Sequence, residues 1–268
     1  SEDTIFVSVA MPGYNTSTLE YTSTGQAGIA HSYDGGSSWE WNSLSYSDQC
    51  IRIVLNPNPT ATSVAFAFGE NIYEYNGSSW SAIYTGGLFH NVFVTNSGGS
   101  NVWYASKNAY SSSDFLYTST DGSTWTSLPF TASDFASTTY QGQKFANLNC
   151  QTAVATDNPN YIFIYGATGA QNKSPSQYPG EVVNIYAYDI SSQTSQSLTI
   201  TGGYSVFQGY QFNDFAYDLF AVAPDESAVY VMNPERTMNR VDLSGTFPNM
   251  TGTPTQLNGI CFDPYSVT

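Results

Sequence analysis

The tightest constraint on this chain is a turn motif that returns at a nearly fixed interval. Residues 32–39 read S-Y-D-G-G-S-S-W, residues 75–80 read Y-N-G-S-S-W and residues 119–125 read S-T-D-G-S-T-W. Their tryptophans, Trp39, Trp80 and Trp125, stand 41 and then 45 residues apart. A second pattern runs out of phase with the first: a short apolar strand ending at Asn or Asp, a turn, and another apolar strand. It occurs as IRIVLNPNPTATSVAFAFG, NVFVTNSGGSNVWYAS, TAVATDNPNYIFIYGA and LFAVAPDESAVYVMN. A fifth copy is divided between the chain ends, with NGICFDPYSVT at 258–268 giving its first strand and TIFVSVA at 4–10 its second. Apolar residues alternate with period two and helical periodicity is almost absent, so each copy reads as antiparallel strands.

A strand-rich repeat of this length predicts an all-β protein, a single β-propeller domain over 1–268. Five four-stranded blades are expected, with strands A to D running from the axis outward. Blade 1 is 257–268 plus 1–45, blade 2 is 46–86, blade 3 is 87–130, blade 4 is 146–200 and blade 5 is 210–247. Pairing the N- and C-terminal strands in blade 1 closes the ring and removes free sheet edges. Blades 4 and 5 lack the tryptophan turn but keep a C–D hairpin, in NIYAYDISSQTSQSLTI and NRVDLSG. A six-bladed ring with a further blade near 130–146, and a β-sandwich, stay open as alternatives.

The turn at 32–39, with Ser32, Asp34, Gly36 and Trp39 in place, resembles the Asp-box of the BNR/sialidase-like repeat β-propellers. The turn at 119–125 matches with one residue fewer through Asp121 and Trp125, and 75–80 keeps the Asn-Gly turn and Trp80. The residues themselves say what such a turn does. The carboxylate bonds turn amides, glycine supplies the left-handed backbone and the tryptophan is expected to be buried between blades. These turns therefore hold the fold. The sialidase chemistry implied by the resemblance needs three arginines around the substrate carboxylate. Arg52, Arg236 and Arg240 are the only arginines, and two share one blade, so that activity is excluded.

Charge sets the class of partner. Six Lys and Arg face 21 Asp and Glu, for a formal charge of −15, a surface that repels nucleic acid and anionic lipid. Charged residues make up only 10% of the chain and aromatics 16%, with polarity carried by Ser, Thr, Asn, Gln and Tyr. No apolar run approaches the ~20 residues of a membrane span. The chain opens SEDTIFVSVA, directly as a strand, so any signal peptide is expected to have been removed. Four N-x-S/T sequons stand at Asn15, Asn76, Asn172 and Asn249, which together with the composition points to an extracellular or cell-surface glycoprotein. Asn15, Asn172 and Asn249 are assigned to the end where strand A begins, and Asn76 to a C–D turn at the opposite end. Cys50, Cys150 and Cys261 show no metal-binding spacing and read as free thiols. No phosphate-binding glycine loop or nucleophile elbow occurs, and no cofactor or metal is expected.

Propeller geometry puts the starts of strand A, the B–C loops and the D–A connections at one end of the sheets. The short A–B and C–D turns lie at the other. Long segments at 11–27, 106–114, 131–145, 166–180 and 201–213 all belong to the first end, and long loops on a rigid scaffold are where binding resides. Tyr140, Tyr204 and Tyr210 are expected around a central mouth, over Asp48, His90, Asn149 and Asp218. Aromatic faces with amides suit a neutral glycan or a protein partner, and an oligomer fits the same surface. The first reading is a non-catalytic extracellular binding propeller. One alternative is a glycoside hydrolase of the five-bladed type, with Asp48, Asp214, Asp218 and Glu181 as its carboxyl candidates. The other is a structural subunit of an extracellular filament or coat.

Overall fold

A computed structural model describes residues 3–15, 20–44, 52–69, 71–86, 89, 91–106, 109–110, 115–130, 139–140, 143–144, 147–168, 183–200, 220–232 and 238–257. Among these residues every regular element is a strand. Sheet 1 holds Ile5–Asn15, Glu20–Ser32 and Glu40–Leu44 in that order. Sheet 2 is Arg52–Thr60, Ser63–Phe68, Ile72–Tyr75 and Trp80–Tyr84. Sheet 3 is Asn91–Ser97, Ser100–Ser106, Leu116–Ser119 and Thr126–Ser127. Sheet 4 is Asn147–Val154, Tyr161–Thr168, Val183–Asp189 and Thr194–Ser197, with Ala109–Tyr110 added at its first edge. Sheet 5 is Phe220–Val222, Ala228–Met232, Met238–Ser244 and Thr251–Leu257, with Thr199–Ile200 running parallel to its last strand. A two-stranded hairpin, Thr139–Tyr140 with Gln143–Lys144, completes the set.

Each sheet is built on an antiparallel meander, and among the described residues the core lies between successive sheets. Ile29, Ala67 and Tyr73 fill the junction of sheets 1 and 2. Phe66, Phe68, Ile72, Val92, Val94 and Trp103 fill the next. Sheets 3 and 4 meet at Leu116, Phe130, Ile162 and Ile164, and sheets 4 and 5 at Phe163, Ile185, Val229 and Val241. The strands Arg52–Thr60, Asn91–Ser97, Asn147–Val154 and Phe220–Val222 lie side by side in that order.

Polar side chains of the turns between first and second strands then staple neighbouring sheets together. Asn58 donates to Asn101 (3.0 Å) and Asn101 to Asn56 (3.0 Å), joining sheets 2 and 3. The amide of Gly98 donates to Asn158 Oδ1 (2.9 Å), joining sheets 3 and 4. Glu226 accepts from the amides of Asn160 (2.9 Å) and Tyr161 (3.0 Å), joining sheets 4 and 5. The Asn or Asp that ends each first strand in the sequence is thus near a hydrogen-bonded seam.

Two boundaries differ from the sequence expectation. Sheet 5 continues past residue 247, because the chain turns at Gly245 (φ +82°) and returns as Thr251–Leu257 along Met238–Ser244. That strand reads TGTPTQL and carries no apolar alternation, so its pairing is invisible in the pattern. Leu257, expected to begin blade 1, pairs with Met238 in sheet 5. Sheet 1 has three strands among the described residues, and the strand expected from 258–268 lies outside them.

Candidate functional site

The two ends of the sheets are built differently, and the turn end is tied by its own side chains. In the turn at 32–39, Ser32 Oγ donates to Asp34 Oδ1 (2.8 Å) and accepts from the amide of Gly36 (2.8 Å). The Ser38 amide donates to Asp34 Oδ1 (2.8 Å) and the Ser38 hydroxyl to Oδ2 (2.7 Å). The turn at 119–125 repeats this wiring. Ser119 Oγ donates to Asp121 Oδ1 (3.0 Å) and accepts from Gly122 (2.9 Å), while the amides of Ser123 and Thr124 donate to Asp121 Oδ1 (both 2.7 Å). Each indole N–H folds back on its own turn, Trp39 to the carbonyl of Gly36 (3.0 Å) and Trp125 to that of Gly122 (3.1 Å).

Hydrogen bonds to a carboxylate favour its charged form. The bonds from Ser38, then Ser32, hold Asp34 down at about 2. The Thr124 and Ser123 amides push Asp121 further in the same direction. Asp225 is lowered by the hydroxyl and amide of Ser227. These carboxylates are structural anions, shifted away from the range a proton donor needs.

In the turn at 75–80 the Asn76 carboxamide oxygen does the carboxylate's work, accepting from the amides of Ser78 (3.0 Å) and Ser79 (2.9 Å). Asp189 forms a fourth such turn, accepting from the Ser192 amide and Ser191 hydroxyl (both 2.7 Å). Sequence reasoning passed over it because no tryptophan follows, although D-I-S-S carried the signal. Asp225 and Glu226 are engaged with Ser227 and with the seam to sheet 4.

Two of the three tryptophans are partly buried against a neighbouring sheet, short of the full burial expected, and the third is exposed. Trp80 packs on Phe6 of sheet 1 (5.8 Å between centroids) and Trp125 on Phe89 (4.5 Å) and on Tyr84 of sheet 2 (6.1 Å). Trp39 is 47% exposed, and Trp41, two residues on, is 45% exposed. The turn is the same, but no sheet among the described residues covers that face.

The residues expected around a central mouth are placed only in part. Asn149 sits opposite Ala167 near the start of Asn147–Val154, at the loop end, and Tyr140 lies in the two-stranded hairpin. Asp48, His90, Tyr204, Tyr210 and Asp218 lie outside the described residues, as do Asp214, Glu181 and Arg236. Among the sequons, Asn15 ends the first strand at the loop end, Asn76 lies in a turn at the other, and Asn172 is outside the described residues. Asn249 is corrected: it stands in the turn between Met238–Ser244 and Thr251–Leu257, at the same end as Asn76, because the strand after it was not foreseen.

No known family profile matches the chain, and no curated protein does. Several solved structures are similar to it. The GH74 enzyme of Niastella koreensis superposes over 87% of this chain with a TM-score of 0.53 at 16% identity. The chain is a β-propeller. It spans 35% of that enzyme, about a third of its length. A structure of YCF48 bound to D1 peptide (TM-score 0.44, 16% identity, 88% of this chain and 64% of that one) is also similar. So is TolB from Acinetobacter baumannii (TM-score 0.44, 14% identity, 94% and 53%). At these identities the likeness concerns the fold alone.

Proposed function

We propose that this protein is an extracellular, non-catalytic propeller of the Asp-box kind that binds a glycan or a protein partner through the loop-bearing end of its sheets. The observation that supports this reading is the difference between the two ends. At the turn end the carboxylates and amides are consumed in short self-bonded turns and in seams between sheets. The connections at the other end include 169–182 and 201–219, long stretches bearing Tyr178, Tyr204, Phe207 and Tyr210. A scaffold stabilised at one end leaves the other free to vary, which is how rigid folds carry binding loops. A hydrolase reading rests on Asp48, Asp214, Asp218 and Glu181 and draws no support from the described carboxylates, whose resolved shifts are all downward.

Binding to an immobilised glycan panel tests the reading, alongside a search for sugar release. The triple variant Tyr140→Ala, Tyr204→Ala, Tyr210→Ala is expected to lose the binding while keeping the parent's melting temperature. Retained binding by the triple variant, or product release by the parent protein, overturns it. Peptide mapping of secreted material tests the compartment, with glycans expected at the sequons; unmodified Asn15, Asn76, Asn172 and Asn249 together would count against an exported protein.

A further inference from the structure

The turns at 32–39, 75–80 and 119–125 differ at one backbone nitrogen. In each a glycine follows the residue whose side chain wires the turn: Gly35 after Asp34, Gly77 after Asn76 and Gly122 after Asp121. The Gly35 amide donates to the carbonyl of Asp3 (3.0 Å) and the Gly122 amide to Ser119 Oγ (2.9 Å). Ser32 and Ser119 stand two positions before their aspartates, but Glu74 stands in that place before Asn76. The Gly77 amide donates to no described residue. Keeping the glycine without the serine leaves an unbonded nitrogen beside the Asn76 carboxamide.

The two ends of that carboxamide are held differently. Its Oδ1 accepts from the amides of Ser78 (3.0 Å) and Ser79 (2.9 Å), from the Ser78 hydroxyl (2.9 Å) and, at the limit, from the Ser79 hydroxyl (3.5 Å). Its Nδ2 donates to no described residue, and Asn76, Gly77, Ser78 and Ser79 are all exposed. Donors already fixed around an oxygen lower the barrier to addition at its carbon, because charge develops on that oxygen. Gly77, at φ +94°, has no side chain to shield its nitrogen. The other two turns lack such an electrophile. Asp34 is held down at about 2 and Asp121 is lowered in the same direction, and an ionised carboxylate resists a nucleophile.

We propose that Asn76–Gly77 is a self-modification site, at which the turn converts its own asparagine to aspartate through a cyclic imide. The Gly77 nitrogen adds to Cγ of Asn76. The N–Cγ bond forms, the Cγ–Nδ2 bond breaks, and the Gly77 amide proton departs with Nδ2 as ammonia. Solvent water then opens the ring. Attack at Cγ gives aspartate, and attack at the main-chain carbonyl carbon gives isoaspartate, whose chain runs through the side chain. The donors from Ser78 and Ser79 polarise the Cγ carbonyl and direct water to it, so aspartate is the main product. The new carboxylate meets the same kind of donors that hold Asp34 and Asp121, and bonds to a charged acceptor are stronger than those to a carboxamide. Isoaspartate would lengthen the backbone across the bond from the Asn76 amide to the Ser79 carbonyl (3.1 Å) and fits the turn poorly.

The full chain is produced in a host that adds no N-glycans, since a sugar on Nδ2 would block the leaving group. It is incubated folded in mildly alkaline buffer beside a synthetic peptide spanning Tyr73–Trp80. Peptide mapping follows the one-dalton gain at position 76, and fragmentation separates aspartate from isoaspartate. The folded chain is expected to convert faster than the peptide, with aspartate in excess where the peptide gives mostly isoaspartate. Ser78→Ala removes one donor to Oδ1 and is expected to slow conversion about threefold. Asn76→Asp is expected to keep Tm within about 2 °C of the parent or to raise it. Four results overturn the proposal: conversion slower in the folded chain than in the peptide, isoaspartate as its major product, an unchanged rate in Ser78→Ala, and a larger Tm loss in Asn76→Asp. The first and third would mean that the turn does not activate the carboxamide, and the second and fourth that it does not accommodate aspartate.

Discussion

The turns at 32–39 and 119–125 share their hydrogen bonds almost atom for atom, yet their tryptophans end in different surroundings. Trp125 is held against Phe89 and Tyr84, and Gly122 beside it lies over Trp103. Trp39 has its own glycine and Ile5 for company and is nearly half exposed. Local chemistry thus produces the same loop twice, and the difference comes from whether a neighbouring sheet lies beneath it. The motif is a way of closing a hairpin. Its tryptophan packs against the core only when a second sheet lies beside it.

The largest test of this contrast is the floor of the second turn. Trp103 is buried against Phe66 (4.5 Å between centroids) and under Gly122, and Trp103→Ala is expected to cost about 3–5 kcal/mol in urea unfolding. A loss under about 1 kcal/mol would show that sheets 2 and 3 do not share a packed junction.

The paired glycines come next. Gly36 (φ +92°) and Gly122 (φ +72°) both adopt the left-handed backbone, which costs any other residue about 1–2 kcal/mol. A Cβ on Gly122 would also lie 3.0 Å from Trp103 Cζ2 and from Ile83 Cδ1, while at Gly36 the nearest atom is 3.6 Å away. Gly122→Ala is therefore expected to cost about 1–3 kcal/mol more than Gly36→Ala. Equal losses in parallel denaturation curves would mean that the backbone alone sets both turns.

The tryptophans themselves give a smaller difference, because Trp125 is only partly buried. Trp125→Ala is expected to lower stability by about 2 kcal/mol and Trp39→Ala by less than about 1 kcal/mol. Equal and large losses by thermal unfolding would place a hidden sheet over Trp39.

Acid titration should leave the two turns alike. Both carboxylates are lowered in the folded protein, so their contribution is complete above the unfolded carboxyl pKa near 4 and is lost as pH falls through the folded value. For Asp34 that window runs from about pH 4 down to about pH 2, and for Asp121 it extends lower. Asp34→Asn and Asp121→Asn are each expected to flatten part of the fall in Tm between pH 5 and the most acid conditions. A fall in Tm unchanged in both variants would show that the turn bonds do not discriminate between charge states.

Most of the architecture was legible because it repeats. Continuous apolar runs, such as 63–68 and 161–168, stand as strands where the pattern put them. Thr251–Leu257 was missed since a polar outer strand leaves no periodic trace and is recruited by backbone pairing to Met238–Ser244. That one strand also moved Asn249 to the other end of the sheet. The loop-end site was legible only as a set of residue types, because its members come from connections far apart in the chain and no local spacing ties Asp48 to Tyr204.

By itself the sequence determined the turns and the apolar strands, since these depend on neighbours within a few residues: a serine hydroxyl two positions before an aspartate, a glycine at positive φ, a run of apolar side chains. It could not determine which of those side chains are covered. Burial is a property of pairs of sheets, and the partner face of any residue is supplied by a stretch dozens of positions away. Trp39 and Trp125 are alike in sequence and in local bonding, and only the presence of sheet 2 against one of them separates a partly buried tryptophan from an exposed one.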